Sequence, residues 1–251
     1  EPTAYFGVFR DFVDLSIIPT TWREGGVQLI GQYGNGITVQ TGVSTGFDLT
    51  KWDPNSDEGK ASPLGSIHQE LALAKAANLS IFGAINWRGI PGLLLGGSVF
   101  TGDATQRQAV TTSRVTLWDM HARWTPGRWD LSALYSRGTI SNTAALNAAF
   151  VGSPTLIPAS FDGYYVQSAY KLWTKQDYAL WTFARWERVN TGKTYADLGP
   201  GLTPDPLPTE TIWTAGGTFQ LTPGVVLKAD YQWFSPSKDQ NRFNMGLGWS
   251  F

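Results

Sequence analysis

Apolar and polar residues alternate along most of this chain. In the stretch RFNMGLGWSF, Phe243, Met245, Leu247, Trp249 and Phe251 interleave with Arg242, Asn244, Gly246, Gly248 and Ser250. A repeat of two residues puts one set on each face of an extended strand, one face apolar and the other polar or small. The same alternation recurs at residues 27–33, 37–43, 79–87, 93–100, 114–124, 129–135, 164–173, 178–189, 211–221 and 225–234. The stretches pair around the short sequences GNG, RGIPG, TPGR, TKQD and TPG, which are hairpin signals. The pattern predicts an all-β protein of about eleven antiparallel strands.

The connections between hairpins are long: residues 44–78, 101–113, 138–162 and 190–210. Short turns at one end and long loops at the other are the mark of an outer-membrane β-barrel. A soluble sandwich or propeller has no reason to sort its loops this way. Aromatic residues follow the same division. Trp87, Trp124, Trp129, Tyr178 and Trp249 fall at the short-turn ends of strands, and Trp118, Trp186, Trp213 and Trp233 toward the long-loop ends. Two aromatic girdles, one at each membrane interface, account for this placement. On that reading Phe243 to Phe251 face lipid and the chain ends on the short-turn side.

An odd number of strands does not close a barrel, since bacterial single-chain barrels have even numbers. The residues before Val27 fall on the long-loop side. The chain is therefore expected to form a single barrel domain, residues 1–251, that lacks N-terminal strands. The competing count makes Ala4–Phe12 a twelfth strand.

Composition narrows the class further. A net charge of −1 excludes a strongly basic nucleic-acid surface, and the lack of cysteine excludes disulfides and thiolate metal sites. Charged residues are 16% of the chain, against ~25% for ordinary soluble domains. No apolar run approaches the ~18 residues of a membrane-spanning helix. The opening EPTAYFGVFRDF has neither the basic start nor the apolar core of a signal peptide, so it reads as a mature end or an internal cut.

The stretches FGVFRDFVDLSIIPTTWREGG, GIPGLLLGGSVFTGD and LKADYQWF, with the terminal NRFNMGLGWSF, resemble the phosphate-selective O/P type of outer-membrane porins and their relatives. The resemblance extends over essentially the whole chain, as the later part of a longer protein. It implies a barrel of roughly sixteen strands, commonly trimeric, with inward-folded loops that narrow a channel for passive diffusion of small hydrophilic solutes, often anions. It also implies a Gram-negative outer-membrane location and lipid as surroundings. Phe251 would then be the assembly signal read by the barrel assembly machinery. The arginine ladder and lysine cluster of the anion-selective members have no matching run here, so phosphate selectivity is not carried over.

With the apolar set facing lipid, alternation sends Arg88, His121, Arg123, Lys171, Arg185, Glu187, Lys228, Asp230 and Arg242 into the lumen. Asp119 and Asp130 join them. Basic groups exceed acidic ones, and a water-filled pore so lined favours anions mildly. The competing reading pairs Arg185 with Glu187 and Lys228 with Asp230 across the wall. FRDFVDLSIIPTTWRE has two readings, an ordinary outer loop or an inward constriction carrying Arg10, Asp11, Arg23 and Glu24.

DPNSDEG has the alternating acids of a calcium loop, but its glycine falls one place late and Leu64 stands where the glutamate belongs. It reads as a solvated acidic loop. Residues 66–77 and 142–150 read as short loop helices, each with a capping residue. His68 and His121 stand in no triad or metal spacing, so no enzyme, metal or cofactor is expected. The alternative to a porin is a structural or docking barrel, bound or plugged by partner proteins.

Overall fold

A computed structural model describes residues 3–71, 73–109 and 111–250. The eleven strands form one antiparallel sheet in which every strand pairs with its neighbours in sequence. They are β1 (Gly26–Gln32), β2 (Ile37–Ser44), β3 (Ser80–Trp87), β4 (Leu93–Asp103), β5 (Arg114–Trp124) and β6 (Trp129–Ile140). Then come β7 (Ser160–Lys175), β8 (Tyr178–Thr194), β9 (Glu210–Thr222), β10 (Val225–Ser235) and β11 (Arg242–Trp249). β1 and β11 are the two edges of the sheet. The competing twelfth strand does not form, because residues 4–9 are bends.

Each short turn closes a hairpin. Between β1 and β2, Gly36 has φ +84° and its carbonyl accepts the Arg88 N–H at 2.8 Å. A Cβ there would meet the Arg88 carbonyl carbon at 2.7 Å, so the turn requires glycine on both counts. The β7–β8 hairpin runs four to five residues beyond the expected strands, joining Ser160 to Thr194 past a bulge at Asp162. Its extension, SFDG against NTGKT, lacks apolar alternation. Pairing there follows from the register of the hairpin below it.

One face of the sheet is apolar and exposed. Leu29, Ile81, Met120, Val166, Leu227, Met245 and Leu247 lie on it. At the long-loop level it carries a continuous row of rings. Trp118 meets Tyr135 at 5.2 Å, Tyr135 meets Tyr164 at 6.4 Å, Tyr164 meets Trp186 at 5.5 Å, and Trp186 meets Trp213 at 6.3 Å. Trp213 is in register with Trp233, which extends the row to β10. At the short-turn level Trp129 lies on Tyr170 at 4.7 Å and Tyr178 on Phe219 at 6.1 Å. Trp118 and Trp124, in the two rows of β5, are six positions apart, roughly 20 Å along a strand.

The other face is covered over much of its area. Residues 3–17 lie along the inner side of β6–β11, ending in a π-helical turn, Val13–Ile17. At the long-loop end Val13 and Ile17 join Phe47, Leu49, Trp52, Leu64 and Ile67 of the β2–β3 loop. Together they pack on Phe100, Val115, Leu117, Ile140 and Phe161 of the wall. The β2–β3 loop is tied down by buried glutamines. Gln69 Nε2 donates to Gly46 O and Gln106 Nε2 to Phe47 O, both at 2.9 Å.

One of the two expected loop helices does not form. Residues 66–71 and 73–77 form no helix but turns and bends, with left-handed φ at Glu70, Leu71 and Leu73. The helical residues of that loop are instead Leu49–Lys51 and α1 (Glu58–Ala61). Helicity yields here to burial of Ile67 and Gln69. The second helix forms as α2 (Thr143–Asn147) continued by Ala148–Phe150. Among the described residues no helix is long and apolar enough to cross a membrane.

Candidate functional site

Inward positions on β8–β11 and the segment before β1 make one site. The segment has little regular structure of its own, so its backbone donors and acceptors need partners, and the wall supplies them. Lys228 Nζ donates to Tyr5 O and, at 2.9 Å, to Gly7 O. Thr218 Oγ1 donates to Phe6 O at 2.5 Å. Asp230 Oδ2 accepts the Val8 N–H at 2.6 Å, and its Oδ1 accepts from Asn244 Nδ2 at 2.7 Å. Higher up, Glu187 Oε2 accepts the Phe12 N–H at 2.8 Å and Arg185 donates to Arg10 O at 3.3 Å. The segment thus climbs the β10–β11 wall and then crosses β8 toward β7 and β6.

Arg185 and Glu187 pair on the same strand at 2.9 Å and are 2% and 0% exposed. Lys228 and Asp230 form no direct pair; each serves the backbone of the segment. All four lie on the sheet face that the segment covers, and they are buried beneath it. Lys171 lies 4.8 Å over the Trp181 ring. Arg242 is exposed, donates to Gln232 Oε1 at 2.7 Å and has the rings of Phe9, Phe12 and Phe234 within 6.0 Å. On β5, Arg123 is held by Asp130 through two bonds of 3.0 and 2.5 Å. His121 lies between Asp119 at 2.6 Å and Asn86 at 2.9 Å. Ser98 donates its hydroxyl to Asp119, so this cluster has no serine poised against histidine. Arg88 is placed in the exposed turn after β3, off the inner row, because the strand ends at Trp87.

The four residues expected at a constriction, Arg10, Asp11, Arg23 and Glu24, separate into two groups. Arg10 and Asp11 lie against the wall, with Asp11 buried and Arg10 3.7 Å from Asp14. Burial holds the Asp11 carboxyl above its ordinary range, with Arg185 acting in the opposite sense. Asp14 retains 32% exposure yet is ringed by protein. Burial and the adjacent Asp11 charge push its carboxyl up to about 7, against the pull of Arg10 and Arg185. Arg23 and Glu24 belong elsewhere. Glu24 accepts from Trp22 Nε1 at 2.7 Å, from Gly46 N at 2.6 Å and from the Thr45 hydroxyl, while exposed Arg23 reaches Glu70 at 3.9 Å. They brace the chain leading into β1 against the β2–β3 loop. Phe251, the expected assembly signal, lies outside the described residues.

Residues the sequence did not single out complete the site: Tyr5, Phe6, Phe9, Phe12 and Thr218. A usable signal was glycine at inward positions. A Cβ on Gly163 would meet Ile17 and Val13 at 3.2–3.3 Å, and one on Gly246 would meet Val8 at 3.1 Å. Bare backbone there lets a third layer approach the wall. Among the described residues no cluster of three His, Cys, Asp or Glu side chains could hold a metal ion.

No family model matches the chain. It is 27% identical over its whole length to an uncharacterized protein of Aquifex aeolicus (strain VF5), of which it spans 58%. It is similar to OmpF of Salmonella typhi, solved with daunomycin, with a TM-score of 0.57 and 12% identity over 90% of this chain and 62% of that one. A porin refined at 1.8 Å resolution gives a TM-score of 0.51 and 12% identity, over 91% of this chain and 62% of that one. The chain thus spans less than two-thirds of each relative. Its fold is the antiparallel β-barrel wall of the porins, here as eleven strands.

Proposed function

We propose that this chain forms the wall and constriction of an outer-membrane channel for passive diffusion of small hydrophilic solutes, with mild preference for anions. The observation that carries this reading is the pairing of an apolar, twice-belted outer face with a polar inner face on which residues 3–17 are docked. Unpaired strand edges are not tolerated in lipid, so β1 and β11 must be met. The reading is a barrel of roughly sixteen strands, with about five more joining the two edges, in a Gram-negative outer membrane. A homotrimer and insertion by the barrel assembly machinery through Phe251 belong to the same reading. The resemblance to the phosphate-selective O/P type supports the architecture without supplying its anion-binding runs.

The anion preference rests on cations that no carboxylate neutralises. Arg123 and Arg185 are paired with acids, whereas Lys171 and Arg242 form no ion pair among the described residues. Charges in a water-filled pore are screened over about 8–10 Å, so the preference is modest and weakens with salt. Reconstitution in planar bilayers tests this reading. Ohmic steps are expected, with a reversal potential on the anion side in a potassium chloride gradient that Lys171→Glu with Arg242→Glu moves toward the cation side. A cation-selective wild type overturns the preference.

A docking barrel is the second reading. The packed core of Val13, Ile17, Phe47, Trp52, Leu64 and Ile67 at the mouth favours it. Absence of any conductance in a correctly folded preparation would decide for it.

A further inference from the structure

We propose that Arg242, Phe9 and Gln232 form a recognition site for small organic anions, meaning a carboxylate carried on an aromatic or apolar body. The proposal rests on the channel reading and names the solute class its constriction takes.

Arg242 differs from the other inward arginines. Arg123 is held by Asp130 and Arg185 by Glu187, each through a carboxylate. Arg242 meets a neutral amide and three rings instead, with Phe9 and Phe234 at 5.4 Å and Phe12 at 6.0 Å. Its single hydrogen bond runs from Nε to Gln232, so both terminal nitrogens are without a protein acceptor among the described residues. Donors also exceed acceptors below it. Gln232 is fully buried, its oxygen is used by Arg242, and its Nε2 has no partner among the described residues.

The rings are not all packed away. Phe9 is 45% exposed beside the exposed guanidinium. A planar guanidinium offers a fork that matches a carboxylate and is less tightly hydrated than an ammonium. Chloride gains from the charge alone, and phosphate from the charge and the fork without a ring contact. A benzoate-like anion gains from the charge, from the fork and from contact with the Phe9 ring. The same motif recurs toward the short-turn end, where Lys171 lies over Trp181 without a carboxylate partner. An organic anion leaving Arg242 would thus meet a second ring-backed cation on the same wall.

The test is block of chloride current through the full chain in planar bilayers, with sodium benzoate compared against sodium acetate at equal ionic strength. Benzoate is expected to half-block at a concentration about two- to tenfold lower than acetate, the range an added ring contact supplies. Phe9→Ala should remove the difference between the two anions, and Arg242→Gln should weaken block by both. Equal block by benzoate and acetate in the wild type, or a difference that survives Phe9→Ala, overturns the site. Should Phe9→Ala yield no barrel, Arg242→Gln decides: weakened benzoate block supports the site and unchanged block overturns it. A wild type without conductance fails differently, since it removes the channel reading itself.

Discussion

The sectors β1–β4 and β7–β11 obey the same alternation and end up in different environments. On β1–β4 the inner residues Gln28 and Ile30 of the edge strand are exposed, while Ser44, Ser80 and Phe100 are buried at the long-loop end. The outer face there is aliphatic, with Val27, Leu29, Val43, Ile81, Ile85 and Val99. On β7–β11 the inner residues Arg185, Glu187, Thr214, Lys228, Asp230 and Gln232 are buried. The outer face there carries Tyr164, Trp186, Trp213 and Trp233. The difference is the third layer. Where residues 3–17 pack, a polar side chain that alternation assigns to water becomes a ligand for loop backbone. A charge on the inner face therefore means one thing in one sector and another in the next.

The largest contrast should come from Glu187→Ala. It leaves Arg185 buried without its acid and costs about 3–5 kcal/mol, whereas Gln40→Ala on half-exposed β2 should cost little. Thermal unfolding of the two variants, followed by heat-modifiable mobility, checks this. Equal losses would erase the distinction between the sectors.

Next comes the outer face. Leu227→Arg on β10 should cost about 2–4 kcal/mol if it sits near the midplane, and should lower the yield of folded barrel. Asp230→Asn keeps the shape of the side chain but weakens its bond to the Val8 N–H. It should cost roughly 1–2 kcal/mol through segment docking, with the barrel itself intact. Protease cleavage within residues 3–17 should rise in Asp230→Asn while the strands stay protected.

A smaller effect should follow pH. Asp14 faces Asp11 and Arg10 on its own segment and Arg185 on β8, with Tyr165 of β7 nearby. Its carboxyl is raised to about 7 by burial first and by Asp11 second. The docked state therefore holds a proton that the undocked state releases near the ordinary carboxylate value. Its stabilisation is complete below that value and is lost as pH rises through about 7. Cleavage of the segment should thus be faster at pH 8 than at pH 5, and Asp14→Asn should flatten the dependence. The smallest effect is expected from deleting Phe251, which should reduce the amount of assembled barrel more than its melting temperature.

Alternation in the sequence was enough to define eleven strands, their order, the short turns and the rows of rings, because a period of two must put one set of side chains on each face of the sheet. The upper ends of β7 and β8 were not legible, since SFDG and NTGKT pair by hairpin register and not by their own pattern. Nor was the failure of a helix at residues 66–77, where burying Ile67 and Gln69 outweighs local propensity. The site was half legible. The inward charges could be counted from parity, but parity says nothing about what covers them. Which cations stay free was decided by tertiary structure, through contacts some 175 to 223 residues apart in sequence, Glu187 with Phe12 and Lys228 with Tyr5. A segment whose own backbone is unsatisfied settles wherever a folded wall offers matching donors and acceptors, and that match exists only once β8, β10 and β11 stand side by side.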